Sequence, residues 1–325
     1  MPFDNLNESA VKIPNLFLLS LLTFVAAVFS LLIPIAGYIG WALMSVPVTL
    51  LVLAERKRDA VICAILGVFV FLFIDYVLFL FMAAMALGVA FLYRWLKAKQ
   101  VIPYRAIGFI CLVFIGCFLM YVGLVAAING INFFSEFLEN YNQYVNNIAD
   151  DPVIASYGNL IAQGQDLEQV IDQTQKVLLF IPNIIAGMWI TFVVFASVIN
   201  YAVSTVVLSK FRIDLKKLPR FGQWDLPWHL VWGLIAGIVL LVVPSFLNID
   251  GHLLYIIGAN LLIVFGFLYL ILGISVLWGI FEKYKLQFAW RIAILLLLGL
   301  FLGFVVLLPI LGLVDVWVNI RKLKR

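Results

Sequence analysis

Asp75, Asn200, Asn260, Glu282 and Asp315 stand out among the polar side chains within, or at the edges of, long apolar runs, and candidate chemistry is sought first among them. A polar group at bilayer depth finds no water, so each marks either a bond inside the protein or a contact to a ligand. Asn200 and Asn260 lie deepest, and each amide offers donors and an acceptor; hydrogen bonding between helices and contact with a ligand both fit them. Asp75 reads as a turn residue and Glu282 as a helix end beside Lys283. Asp315, four residues before Asn319 and six before Arg321, also reads as structural. His229 and His252 stand at opposite ends of the run 228–247 and cannot share a metal by spacing. Cys63, Cys111 and Cys117 are odd in number, lack C-x-x-C spacing and read as buried thiols. There is no H-E-x-x-H, no G-x-S-x-G, no Walker loop and no pair of intramembrane carboxylates. The expectation is therefore a protein that is not an enzyme, with no catalytic residue, no metal site and no cofactor.

Prolines and glycines punctuate the first part of the chain, at Pro34, Gly37, Gly40, Pro47, Gly67 and Gly88. A broken helix exposes backbone polar groups, and in transporters such backbone often lines the substrate cavity. Pro34 and Pro47 therefore join Asn200 and Asn260 as candidate ligand-binding positions. The cavity is expected between the short N-terminal helices and an outer helical pair.

The elements that must hold these residues are membrane helices. Hydrophobic residues make up 65% of the chain, charged residues 12%, and mean hydropathy is +1.14, far from the balance of a soluble domain. The fold class expected is all-α, a polytopic transmembrane helical bundle of eight or nine crossings with one extracytoplasmic amphipathic helical insert. Runs at 15–36, 106–128, 177–208, 228–247, 253–281 and 292–314 are long enough to cross; those at 41–54, 60–74 and 77–93 are short or marginal. Basic clusters at Arg56–Arg58, Arg94–Arg105, Lys210–Arg220 and Lys283–Arg291 mark inner loops, while Glu136, Glu139, Asp150, Asp151, Asp166, Glu168 and Asp172 put 129–176 outside. Nine crossings would leave Arg321, Lys322, Lys324 and Arg325 outside, against that rule, unless 292–314 bends at 309–312 and returns or a short run fails to cross. Hydropathy divides the chain into 1–128, 129–176 and 177–325.

Within the insert, Phe133, Phe137, Tyr141, Tyr144 and Ile148 recur at three-to-four spacing, the stripe of an amphipathic helix. A second helix is expected from Asp166, with Gln169 reaching back to its cap. Small residues four apart, Gly233 with Gly237, Gly299 with Gly303 and Ala84 with Gly88, are expected to let helices approach closely. The N-terminus shows no cleavable leader pattern. The net charge of +4 sits in loops beside apolar runs, so the partner it implies is the lipid bilayer and not nucleic acid. Asp225 is expected to cap the helix that Pro227 opens between Trp224 and Trp228.

Three stretches carry a resemblance: Phe221, Trp224, Asp225, Leu226, Pro227 and Trp232; Asn260, Tyr269, Gly273, Ser275 and Val276; and Gly312, Leu313, Asp315, Val316, Trp317 and Arg321. In that order they resemble the YybS-like (DUF2232) family of bacterial multipass membrane proteins. The N-terminal half is also similar to the substrate-binding components of energy-coupling-factor transporters, compact bundles that bind a small molecule and dock on a scaffold carrying ATPases. Those components dock through A-x-x-x-A on their first helix; here the first run has only adjacent Ala26 and Ala27. The resemblance implies a multipass protein of the bacterial cytoplasmic membrane, and as partners other membrane subunits and a separate ATPase module. The leading expectation is thus a small-molecule binding or transport subunit without its own energy source. The alternative is a non-transporting scaffold that uses the Trp224 to Trp232 region and the basic loops as its contact surface.

Overall fold

The computed structural model describes residues 13–33, 37–130, 133–148, 167–247, 251–300 and 302–323. Every regular element among them is helical: α1 (Leu16–Leu32), α2 (Gly37–Leu43), α3 (Ser45–Leu53), α4 (Lys57–Gly67), α5 (Tyr76–Ala98), α6 (Pro103–Asn129), α7 (Phe133–Asn146), α8 (Leu167–Lys210), α9 (Val231–Leu247), α10 (His252–Lys283), α11 (Phe288–Gly299) and α12 (Leu302–Val318). Short 3-10 turns occur at Phe69–Phe73, Phe221–Gln223 and Trp228–Leu230. Helix is what an apolar chain adopts where only its own backbone can satisfy N–H and C=O groups. Four stretches, Tyr76–Ala98, Pro103–Ile128, Glu168–Lys210 and His252–Lys283, are long and apolar enough to cross a membrane.

The chain forms two compact units. The first comprises residues 1–131 and 192–218, the second residues 132–191 and 219–325, so α8 contributes to both. This division follows compactness, whereas boundaries at 128 and 176 follow hydropathy.

In the first unit, α2 and α3 are separated by a break at Met44. Pro47 sits in the first turn of α3, where its missing N–H leaves no intrahelical bond unmade. Gly40 faces α1 so closely that a Cβ there would stand 2.4 Å from the Ala26 carbonyl oxygen. Asp75 caps α5 by accepting the Val77 N–H at 2.7 Å, the turn role its position suggests. Leu50, Leu51, Ala60, Cys63, Ala86 and Leu208 form one buried cluster.

Helices α3, α5 and α8 end alike, as does α10 in the second unit. The residue after the final turn is left-handed, at Glu55 (φ 61°), Gln100 (φ 50°), Arg212 (φ 57°) and Lys285 (φ 55°). The next N–H reaches back into the helix, Ile213 to the Leu208 carbonyl at 3.0 Å and Leu286 to that of Phe281 at 3.0 Å. This is the Schellman closure, which glycine usually serves because it lacks a Cβ.

In the second unit, α7 lies along the first part of α8. Val145 is buried, and Gln175 donates to its carbonyl at 3.3 Å. The helix expected from Asp166 begins at Leu167 and continues without interruption to Lys210; Asp150, Asp151 and Asp166 lie outside the described residues. Gly233 meets the Phe265 ring and Gly237 meets Leu262, so this pair does bring α9 onto α10. Gly299 and Gly303 face nothing within 4 Å; the expected close approach there does not occur. The tight crossing lies elsewhere, at Gly273 of α10 and Gly312 of α12. A Cβ on Gly273 would fall 1.9 Å from the Leu308 carbonyl oxygen, and one on Gly312 2.4 Å from that of Tyr269.

The last apolar run differs from its expected form. It is split between Gly299 and Leu302, and α12 passes through Pro309 and Gly312 without stopping. At its start, Phe288 packs on Trp278 with ring centroids 5.8 Å apart, and Arg291 reaches Glu282 at 3.4 Å. Beyond its end, Arg321 donates to Ser275 Oγ at 2.8 Å. Residues 288–321 therefore begin and end against the same stretch of α10, which a single straight crossing cannot do. The two helices meet between the end of α11 at Gly299 and the start of α12 at Leu302, not at 309–312, because Gly312 is occupied in letting α12 touch α10.

Gly273→Ala should lower stability in detergent by about 1–3 kcal/mol, since the clash is with a carbonyl that cannot move aside and outweighs alanine's better helix propensity. Gly266→Ala on the same helix, with nothing within 4 Å, should not lower it. Thermal unfolding of both variants checks the pair; equal melting temperatures would contradict the crossing.

Candidate functional site

The first unit contains a polar corner at the α2–α3 break. Asn200 is fully buried on α8. Its Nδ2 donates to the Ala42 carbonyl at 2.6 Å and to Ser45 Oγ at 2.8 Å, and its Oδ1 accepts from the Tyr93 hydroxyl at 2.9 Å. Ala42 and Ser45 flank the α2–α3 break, so one side chain supplies donors to backbone and hydroxyl at the interruption and ties it to α5. Of the two roles open to Asn200 from sequence, this geometry is the interhelical bond. Tyr93 and Ser45 left no signal in the sequence, because a partner a hundred residues away obeys no spacing.

Beside that corner lies a cleft of about 380 Å3 between α1, α2, α3 and the end of α8. Leu22, Ala26, Leu43, Pro47, Val203 and Phe211 are among its walls, which are apolar throughout. Pro47 is among these walls, but the cleft is not the expected one against the outer helical pair: among the described residues, none that line it comes from 129–176. Pro34, the other expected lining residue, lies outside the described residues.

Asn260 belongs to the second unit and does a comparable job on α8. Its Oδ1 accepts the Gly187 N–H, while Nδ2 donates to the carbonyls of Asn183 at 2.6 Å and Ile256 at 2.7 Å. The amide inserts between an N–H and the carbonyl four residues earlier, one turn beyond Pro182. Gly187 permits it, since a Cβ there would stand 2.9 Å from Asn260. Pro182 itself cannot donate to the Leu178 carbonyl, and the Tyr141 hydroxyl does so instead at 3.0 Å.

The residues 219–230 are held by a buried ion pair. Arg321 meets Asp315 at 2.8 Å, with side chains 4% and 0% exposed. The same guanidinium donates to the Gly222 carbonyl at 2.9 Å, and Ser275 Oγ donates to that of Phe221 at 2.6 Å. Losing one partner of such a pair typically costs about 3–5 kcal/mol, because the other charge stays buried alone. Trp224, Asp315 and Arg321 are brought together here, with Trp224 Nε1 donating to the Pro219 carbonyl at 3.1 Å. Trp317 is exposed. Asp225 does not cap a helix as expected. Its Oδ1 accepts the N–H of Leu226 at 3.0 Å, and Pro227 stands at the cap position of the Trp228–Leu230 turn with no side-chain bond.

Among the described residues no three His, Cys, Asp or Glu side chains gather closely enough to hold a metal ion.

A family model described as predicted membrane protein, DUF2232, matches residues 21–316. The chain belongs to that family. The match covers the polar corner, the cleft apart from Pro14 and Leu19, and the Asp315 end of the ion pair. No curated protein and no solved structure matches this DUF2232 chain.

Asn200→Ala should cost about 1–3 kcal/mol by leaving buried groups unpaired. Combined with Tyr93→Phe, it should show a coupling of about 0.5–3 kcal/mol in a double-mutant cycle of detergent unfolding. Simple additivity would contradict the corner.

Proposed function

We propose that this DUF2232 protein is a membrane-embedded binding subunit, without catalysis or an energy source of its own, whose ligand is an apolar or amphipathic small molecule seated in the cleft of the first unit. The observation that carries this reading is the cleft itself. Its volume is in the range of ligand pockets, and its lining side chains are all apolar, so what they offer a ligand is dispersion contact. Asn200, beside it, has its donors and acceptor engaged by protein groups, which favours a ligand that asks for none. Release or transport would draw on other membrane subunits and a separate ATPase module, as the likeness to energy-coupling-factor components suggests.

In this reading the basic loops face the cytoplasm and residues 129–176 face outward across a cytoplasmic membrane. The chain makes eight traverses, by α1, α2 with α3, α4 with its 3-10 turn, α5, α6, α8, α9 and α10, and α11 with α12 returns to the side it left. That arrangement removes the conflict of a basic C-terminus outside, and the contact of Arg321 with Ser275 supports it.

Purification followed by extraction should release a hydrophobic small molecule, and Val203→Trp, which fills the cleft, should abolish its retention. Unchanged retention with helicity intact would favour the scaffold reading. For orientation, on a background lacking Cys63, Cys111 and Cys117, a cysteine at Asn146 should react with an impermeant reagent in intact cells. A cysteine at Lys216 should react only after the membrane is opened, and the reverse pattern would overturn the assignment.

A further inference from the structure

The two ends of the cleft differ in charge. Along α1 its wall runs from Leu19 through Leu22 and Ala26 to Phe29, and along α8 from Val203 through Val207 to Phe211. At 1.5 Å per residue those stretches are roughly 15 and 12 Å long, a groove parallel to the helices and not a rounded pocket. One end is lined by Phe29, Ile39 and Gly40. At the other, Pro14 and Phe211 form the rim.

Basic residues adjoin the rim residues, one by contact and two by neighbouring position in the chain. Arg56 Nη1 donates to the Pro14 carbonyl at 3.5 Å, and Phe211 is flanked by exposed Lys210 and Arg212. Residues 56–59 and 210–214 hold five basic side chains, Arg56, Lys57, Arg58, Lys210 and Arg212, against two acidic ones, Asp59 and Asp214. Asp59 is taken by Arg56 at 2.6 Å. An apolar groove that opens beside more basic than acidic side chains among the described residues complements a molecule with a hydrocarbon tail and an anionic head. Basic pockets between membrane helices bind phosphate head groups for this reason.

Resting on the binding reading above, we infer that the ligand class of the cleft is an anionic phospholipid, with one acyl chain in the groove and its head group at Arg56, Lys210 and Arg212. A lipid of no net charge gains the groove but not the rim.

The test uses the full chain, delipidated in detergent, with three probes: phosphatidylglycerol, phosphatidylcholine with the same acyl chains, and a long-chain alcohol, each scored by native mass spectrometry. The unaltered protein should favour phosphatidylglycerol by roughly tenfold, the order expected when more than one basic side chain meets an anionic head. Lys210→Gln with Arg212→Gly should bring the two phospholipids to parity and leave alcohol binding unchanged; glycine keeps the left-handed helix end, so the fold is preserved. Arg56→Gln gives a second, independent neutralisation. Parity in the unaltered protein, or a preference that survives both neutralisations, would overturn the lipid inference, while alcohol binding abolished by Val203→Trp would keep the cleft reading intact. If Val203→Trp and Val207→Phe both fold and still bind all three probes, the cleft reading itself fails.

Discussion

A backbone carbonyl released inside hydrocarbon must find a donor from the protein, and the arrangement of this chain follows from meeting that demand at its interrupted helices. Where α2 stops short of α3, Asn200 supplies the donor to Ala42. Where Pro182 withholds its N–H from Leu178, Tyr141 supplies it, and one turn later Asn260 spans Asn183 and Gly187. Where the connection into α9 runs in irregular backbone, Arg321 and Ser275 cover Gly222 and Phe221. Each repair also fastens one helix to another, so the same few polar side chains that permit the breaks fix the packing around them.

This explains what kind of cavity is left. The polar side chains at these interruptions are drawn into satisfying backbone, and the cleft beside the Asn200 corner is walled by apolar side chains such as Leu22, Leu43 and Val203. Specificity for a guest then has to come from shape along the groove and from charge at its rim. The tight α10–α12 crossing works in the opposite sense: Gly273 and Gly312 remove side chains altogether, so backbone meets backbone and no room remains.

Much of this was legible in the residues. Asn200 and Asn260 were identifiable as costly groups at depth, Pro47 as a helix interruption, and the Gly233–Gly237 pair as a packing face. The partners were not, because Tyr93 with Asn200 and Asn183 with Asn260 are long-range contacts, and hydropathy is blind to them. Glycine and proline misled where their packing role and their breaking role look alike: Gly299 and Gly303 face open space, while Gly312 is buried in a crossing that Pro309 does not disturb. Asp225 has the right type for a cap at the wrong offset from the turn that follows it.

The helix ends at Glu55, Gln100, Arg212 and Lys285 carry a cost that glycine would avoid, roughly 1 kcal/mol for a side chain held in left-handed backbone. Three of the four are charged, and all stand where apolar helices give way to basic loops. A glycine would make a more comfortable terminus and a poorer boundary, since it can neither anchor a helix end in water nor resist its slipping inward. Selection for thermostability and selection for a fixed depth in the membrane would therefore pull these positions in opposite directions.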